Sequence, residues 1–272
     1  MTNINLINAG QKYWDANFVL SEAAKQFHSL ESMNSPYQDS PIDITFFVSC
    51  YNEEKFIRET LKTVIEAMRA VGRTYEIIII DDGSKDNSLA IIKEFIVENP
   101  NINLILRANK KNKGLAENYI DGAFLGRGKY YRLICGDNPE PLELFIEVFS
   151  KIGNADIIIP YHVTVEGKSE FRKFISKTYT WLINLVSGHR IKYYNGLQIH
   201  LRHNVMRWHP NTRGFGFQAS LLCMLLSKGF TYEEVPCHPI ERRGGGANAF
   251  NWKNLRSVTH VVISILLRRI LT

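Results

Sequence analysis

"YEIIIIDDGSKDNS" occupies residues 75–88, and its first half decides the fold. Ile77, Ile78, Ile79 and Ile80 leave no polar face for water. Such a run reads as a strand buried on both sides, as in a parallel sheet. Asp81 and Asp82 follow directly, and Gly83 and Ser84 make a turn. Asp86 is placed to cap a helix over 86–98, with Leu89, Ile92, Phe95 and Ile96 on one side. Adjacent carboxylates at the end of a buried strand are costly unless something engages them. Asp81 and Asp82 therefore read as functional, and Asp86 as structural.

The same alternation continues on both sides. "ITFFVS" (44–49), "NLILR" (103–107), "YYRLIC" (130–135) and "DIIIP" (156–160) read as further strands. Residues 53–71, with Phe56, Leu61, Val64, Ile65 and Met68 at helical spacing, and residues 114–126 read as helices between them. Strands alternating with helices predict βαβ units, a mostly parallel central sheet and helices on both faces. In such sheets ligands bind beyond the carboxyl ends of the strands. That rule selects "CYNEE" (50–54), "DDGSKD" (81–86) and "CGDN" (135–138). Tyr51 could flank a base, while Asn52 and Glu53 could bind a ligand or cap a helix. Lys113 and Gly114 precede a helix in "NKKNKGLAENYIDGA" (109–123), a setting that favours phosphate and equally suits a solvated loop.

Composition narrows the class. The 272 residues, 45% hydrophobic, suffice for one large core. A net charge of +6 suits phosphates, nucleotides or a membrane surface without choosing among them, and no nucleic-acid partner is expected. Cys50, Cys135, Cys223 and Cys237 form no CxxC pair, so they read as reduced, mostly buried thiols of a cytoplasmic protein. The N-terminus has no basic region followed by an apolar one, and no secretory signal is expected. The longest apolar run, at 258–267, is well short of the ~20 residues that span a bilayer. The histidines show no metal-ligand spacing. Three segments are expected: an N-terminal extension and linker (1–40), one α/β domain (41–250) and a C-terminal amphipathic helix (251–272). The extension has weak helical periodicity at Phe18, Ala23, Phe27 and Leu30.

"YNEE", "YEIIIIDDGSKD", "NKGLAENYIDGA" and a strand ending in Asp137 together resemble, in order and spacing, the inverting glycosyltransferases of family 2. The likeness is strongest to the dolichyl- and polyprenyl-phosphate mannosyl- and glucosyltransferase branch. It covers about residues 44–250. The resemblance implies a GT-A fold, Rossmann-like, of nucleotide-diphospho-sugar transferases. It also implies a nucleotide-sugar donor whose base is held by Tyr51, Glu53 and Asp82. An Asp-x-Asp motif would bind Mg²⁺ or Mn²⁺ and the diphosphate. Its second aspartate is Asp137, but Cys135 stands at the first, and Pro139 stands where a glutamine often assists. A thiol is a poor ligand for a hard cation. The alternative for Asp137 is a cap on the segment beginning "NPEPLE". Within "RGFGFQASLLCMLLSKGF" (213–230), Ser220 stands where the family has its basic Glu. A phosphate acceptor is already an anion and needs no base, so the missing acid favours a lipid-phosphate acceptor. Arg242 and Arg243, in the glycine-rich "PIERRGGGANAF" (239–250), match a lid that closes on the diphosphate. The branch's acceptor-phosphate arginine aligns with Ile199, and Arg202 is the nearby substitute.

Two amphipathic stretches bear on the acceptor. Residues 168–187 combine Phe171, Phe174, Ile175, Leu182 and Val186 with Lys168, Arg172, Lys173 and Lys177. This pattern suits a membrane surface or a core-packing helix equally. The C-terminal helix could dock on a membrane, form a homo-oligomer contact or pack on the domain. The sequence thus predicts metal-assisted inverting sugar transfer to a polyprenyl phosphate, with peripheral attachment at the inner face of the cytoplasmic membrane. The alternatives are transfer to a sugar or lipid hydroxyl in polysaccharide assembly, and a catalytically silent nucleotide-binding homologue.

Overall fold

The structure is a computed structural model describing residues 16–27, 42–137, 140–163, 170–208, 216–237 and 252–271. An eight-stranded sheet runs through it in the order β1-β4-β3-β2-β5-β7-β6-β8. The strands are β1 (Ala16–Leu20), β2 (Ile44–Cys50), β3 (Tyr75–Asp81), β4 (Leu104–Asn109), β5 (Tyr130–Cys135), β6 (Ile157–His162), β7 (Ile199–Leu201) and β8 (Tyr232–Cys237). β4, β3, β2 and β5 form a parallel block at the centre. β7 runs antiparallel to both β5 and β6, and β8 extends β6 in parallel. The expected mostly parallel α/β architecture is present, with antiparallel pairs at β1 and β7.

The isoleucine run behaves as its composition demands. Ile77 and Ile79 join one core, with Phe46, Val48 and helices α2 (Ile57–Val71), α3 (Ser88–Glu98) and α5 (Leu142–Ser150). Ile78 and Ile80 join the other, with Phe47 and helices α4 (Leu115–Leu125) and α8 (Phe217–Ser227). Period-two alternation sends successive side chains to opposite faces, so a sheet covered twice needs continuous apolar strands. All four isoleucines are buried.

Residues 16–20 depart from the helical expectation. They form β1, antiparallel to β4, with Ala16 opposite Asn109 and Leu20 opposite Ile105. Only α1 (Glu22–Phe27) is helical, and Leu30 lies outside the described residues. A helical spacing of apolar residues cannot show that an exposed strand edge nearby will recruit the segment. Ser21 fixes the junction: its hydroxyl donates to the Ile102 carbonyl (2.7 Å) and accepts from the Leu104 amide (3.0 Å). The short β7 and α7 (Arg202–Met206) also went unread, since three residues carry no periodicity.

Arg202, the expected substitute for an acceptor-phosphate arginine, is bonded to backbone carbonyls. Its Nε donates to the Gly128 carbonyl (2.8 Å) and its Nη1 to the Ala123 carbonyl (3.0 Å). Both lie just before β5, at the opposite end of the strand from Asp137. Ile199, on β7, is buried in the core.

His200, also on β7, is buried, and its pKa is pushed down to about 3 by that burial. The folded state keeps it neutral, whereas the unfolded chain binds a proton near pH 6.5. Stability is therefore intact above pH 6.5 and falls as pH drops below it. At pH 5 the loss is about 2 kcal/mol. His200→Gln should flatten the fall in urea midpoint between pH 7.5 and pH 5 by about this amount; an unchanged slope would show that His200 is not the group responsible.

Candidate functional site

Strand register assembles the site. In the parallel block Cys50 lies opposite Asp81, and Ser49 opposite Cys135. The segments after β2, β3 and β5 consequently emerge side by side at one edge of the sheet. "YNEE", "DDGS" and "GD" become neighbours, although 85 residues separate Asn52 from Asp137 in sequence.

The first two segments are stitched together by hydrogen bonds. Asn52 takes a positive φ of 59°, a conformation Asn tolerates better than most residues. Its amide donates to Ser84 Oγ (2.9 Å), and its Oδ1 accepts from the Lys85 amide (2.8 Å). The Glu53 amide donates to Ser88 Oγ (2.8 Å) and the Glu54 amide to Asp86 Oδ2 (3.1 Å). Glu54 Oε2 in turn accepts from the Asn87 amide (3.0 Å). Asp86 Oδ1 accepts from the Ser88 amide (3.0 Å) and hydroxyl (2.6 Å), a turn just before the helix, while the cap position expected for Asp86 is taken by Asn87. Burial opposes the Asp86 charge, but these bonds hold its carboxyl below the usual range. Tyr51 stays exposed at the rim. Gly83, with φ of 78°, supplies the left-handed turn after the acids.

The two adjacent aspartates divide their work. Asp82 anchors the following loop. Its Oδ1 accepts from Asn109 Nδ2 (2.8 Å) and the Lys113 amide (2.9 Å), and its Oδ2 from the Gly114 amide (2.9 Å). Lys113 turns its ammonium toward Asp121 (3.5 Å) and Glu117 (3.7 Å). Asp81 is buried beneath the turn and accepts from the Ser84 amide at Oδ2 (3.3 Å). Burial raises its pKa, against the hydrogen bonds of Ser84 and Gly83, and the Asp82 charge adds to the rise. Its Oδ1 has no hydrogen-bond partner among the described residues.

The third segment carries Asp137. Gly136 is required by close approach, since a Cβ there would lie 2.5 Å from the Ser49 carbonyl and 3.3 Å from Glu53 Cγ. Thr60 holds the same residue, its hydroxyl donating to the Gly136 carbonyl (2.9 Å). Glu53 is therefore packed against the turn that presents Asp137. Burial, then the charges of Asp137 and Asp86, push the Glu53 carboxyl up to about 7. Asp137 Oδ1 is buried and has no hydrogen-bond partner among the described residues. Asp137 does not cap α5: the cap position is Pro141, with no side-chain cap bond. Beyond the turn, Glu140 accepts from Arg132 Nη2 at both oxygens (2.9 and 3.0 Å), while Arg132 Nε donates to the Leu197 carbonyl (2.9 Å). The Arg132 guanidinium lies over the rings of Phe145 and Phe149. This buried pair fixes the far side of the turn, and losing one partner would cost about 3–5 kcal/mol.

Two carboxylates pressed together, one with a buried oxygen left unpaired, suit a divalent cation that takes its other ligands from diphosphate and water. No group of three or more potential metal ligands exists among the described residues. Arg242 and Arg243, like Asn138 and Pro139, lie outside the described residues. α8 begins without an acid in its first turn, and Ser220 sits there as expected. Asn109, Ser84, Ser88 and the Arg132–Glu140 pair escaped sequence reading. Their residue types suit any surface loop, and only their partners mark them.

An α/β sheet with loops gathered at its carboxyl edge places a ligand site at that edge. The chain belongs to glycosyl transferase family 2, whose family model matches residues 45–209, more than half its length. A dolichyl-phosphate beta-glucosyltransferase of Trichomonas vaginalis is 29% identical over 74% of this chain and 64% of its own. Its counterpart in Dictyostelium discoideum is 30% identical over 45% of this chain and 38% of its own. An undecaprenyl-phosphate 4-deoxy-4-formamido-L-arabinose transferase of Shewanella sediminis is 24% identical over 78% of this chain and 63% of its own. The chain thus spans less than two thirds of the length of each of these relatives. Among solved structures, glucosyl-3-phosphoglycerate synthase of Mycobacterium tuberculosis with UDP superimposes with a TM-score of 0.60 at 14% identity, over 83% of this chain and 80% of that one. The same enzyme with Mn²⁺, UDP and phosphoglyceric acid gives 0.59 at 16% identity, over 84% and 78%. The shared fold is GT-A.

Asp82→Ala should release the 110–114 loop. It leaves two amides and one carboxamide without their charged acceptor, at about 2–3 kcal/mol. The variant should lose that much stability in urea and become cleavable by trypsin at Lys110, Lys111 or Lys113. Wild-type resistance would show that the loop does not depend on Asp82.

Proposed function

We propose that this chain transfers a sugar, with inversion, from a nucleoside diphosphate to a polyprenyl phosphate, assisted by Mg²⁺ or Mn²⁺. The observation that carries the reading is Asp137, whose buried oxygen has no hydrogen-bond partner among the described residues, near Glu53 at the carboxyl edge of β2, β3 and β5. Asp137 and Glu53 would hold the cation, and Cys135 would not. When bound, the cation would offset charge on the departing diphosphate. The family's use of a cation is supported by the neighbour solved with Mn²⁺ and UDP.

The protein's own groups divide the rest. Tyr51 would face the base, held in place by the Asn52–Ser84–Lys85 stitch; Glu53, which the resemblance places at the base, is instead given to the cation. Asp82 would act through the loop it anchors, keeping the Lys113 and Gly114 segment at the rim. Arg242 and Arg243 would neutralise the leaving group. The acceptor phosphate oxygen attacks the anomeric carbon from the face opposite the diphosphate. The bond from that carbon to the diphosphate oxygen breaks, and its electron pair leaves with the diphosphate. No proton moves, which suits an α8 first turn without an acid. The names of the relatives, dolichyl- and undecaprenyl-phosphate transferases, support the same acceptor class.

Cys135 at the usual ligand position favours a second reading, a silent homologue that keeps a nucleotide pocket. Calorimetry with UDP-, GDP-, CDP- and dTDP-sugars, with and without Mn²⁺, separates the two. One donor should bind, Mn²⁺ should tighten it about tenfold or more, and Asp137→Ala and Glu53→Gln should each remove that gain. A donor indifferent to Mn²⁺ would leave the silent reading standing, and no binding at all would overturn both. With acceptor present, a glycolipid labile to mild acid but stable to mild base would identify the phosphate linkage.

A further inference from the structure

Strand β1 lies outside residues 45–209, the stretch that the family model matches, yet it is built into the sheet beside the site. It is an edge strand, with β4 as its neighbour. Pairing of β3 with β4 ends at Asp81 opposite Ala108. Asn109 comes one residue later, and there the pairing partner is Ala16 of β1. Among the described strands, β1 alone therefore holds the last residue of β4 in the sheet.

Two lines run from this strand to the 110–114 loop. The first passes through Asn109, which is buried and donates from Nδ2 to Asp82 Oδ1 (2.8 Å) and Asn118 Oδ1 (2.9 Å). Asp82 in turn accepts from the amides of Lys113 and Gly114. The second passes through Arg107, which lies opposite Phe18 of β1. Residues directly opposite in an antiparallel pair share a face of the sheet, so Phe18 stands beside the fully buried Arg107. Arg107 Nη1 is ion-paired to Asp121 Oδ2 (2.7 Å), and Lys113 Nζ reaches the same oxygen (3.5 Å). The strand itself is fastened at its other end. The Ser21 amide donates to the Leu104 carbonyl (2.9 Å) and the Ala23 amide to the Pro100 carbonyl (3.0 Å). The Ser21 hydroxyl donates to the Ile102 carbonyl (2.7 Å) and accepts from the amides of Leu104 (3.0 Å) and Ala24 (3.1 Å). This clasp sits at the amino end of β4, away from Asn109. Between the two, Asn17 is exposed and Phe18, Val19 and Leu20 are half-buried. A short, half-buried edge strand with one neighbour opens more readily than the centre of a sheet.

We infer that β1 is a strap that sets the order of the 110–114 loop, and that strap docking and donor binding stabilise each other through that loop. The second half rests on the donor reading given above, in which the Lys113 and Gly114 segment lies at the rim of the nucleotide site. Coupling between two sites is reciprocal. Whatever order the strap lends to the loop, a donor held by the loop lends to the strap. Phe18 and Ser21 are thus positioning residues, acting through Arg107, Asn109 and Asp82.

Hydrogen-bonded pairs alternate along an antiparallel ladder, so Val19, two residues from Ser21, is the next whose amide faces β4. Val19→Pro removes that donor, and Ser21→Ala removes the clasp hydroxyl while keeping the strand. In the donor-free full chain, amide exchange at 105–114 should rise about tenfold or more in Val19→Pro, and less in Ser21→Ala. β2, β5 and the paired helices α6 (Glu170–Ser187) and α9 (Trp252–Leu271) should exchange as in wild type, which separates release of the strap from global unfolding. Should the proline prevent folding, Ser21→Ala decides the matter. Exchange at 110–114 unchanged from wild type overturns the inference. With Mn²⁺ and the donor found by calorimetry, exchange at 16–20 in wild type should slow about fivefold. Val19→Pro should bind that donor about fivefold more weakly and keep the gain from Mn²⁺, which belongs to Asp137. Equal donor affinity in wild type and Val19→Pro also overturns the inference and leaves the catalytic reading untouched. A wild type that binds none of the donors overturns the catalytic reading instead, and the donor-free exchange still decides whether the strap orders the loop.

Discussion

The lateral register of β2 between β3 and β5 is the constraint on which the site depends. Parallel pairing fixes which residues leave the sheet together, and here it places Cys50 level with Asp81 and Ser49 level with Ile80 and Cys135. The backbone has little freedom to choose otherwise. A slip by one residue would reverse every side chain of Phe46, Phe47 and Val48, sending the residues of one core into the other. The cores on the two faces therefore enforce the register that gathers Asn52, Asp82 and Asp137.

Around that edge, polar side chains serve the loops more than they face solvent. Asn52, Ser84, Ser88 and Asp86 hold the segments after β2 and β3 against each other, and Asp82 holds the loop after β4. Hydrogen bonds to a charged acceptor are among the stronger ones, and in a partly buried setting they fix a loop before any ligand arrives. What is left unsatisfied is correspondingly informative. One oxygen each of Asp81 and Asp137 has no partner among the described residues, and both lie at the edge where a ligand would bind.

Substitutions from the family's pattern look different once placed. Cys135 removes one carboxylate from the β5 turn, but Glu53, brought in from the β2 loop, lies against Gly136 beside the remaining one. Ser220 removes an acid from α8, which suits an acceptor that is already ionised. Arg202, by contrast, bonds carbonyls at the far end of β5.

The sequence by itself determined the architecture of the central sheet. A run such as Ile77 to Ile80 has one stable environment, and two acids after it mark the ligand edge whatever the rest of the chain does. It also marked Asp86 as structural, although its bonds to Ser88 and the Glu54 amide are those of a turn and the cap position is Asn87. Tertiary structure alone decided which of Asp81 and Asp82 anchors the 110–114 loop, since their spacing is symmetric and only Asn109, Lys113 and Gly114 distinguish them. It decided that residues 16–20 are a strand, because edge pairing with β4 outweighs a weak helical spacing. It decided, finally, which side of the C-terminal helix is covered, since Val261 and Ile265 are buried whereas Ile263, Leu266 and Ile270 face solvent. Amphipathic spacing shows that a helix has an apolar side, but only packing shows which side is already covered and which still faces water.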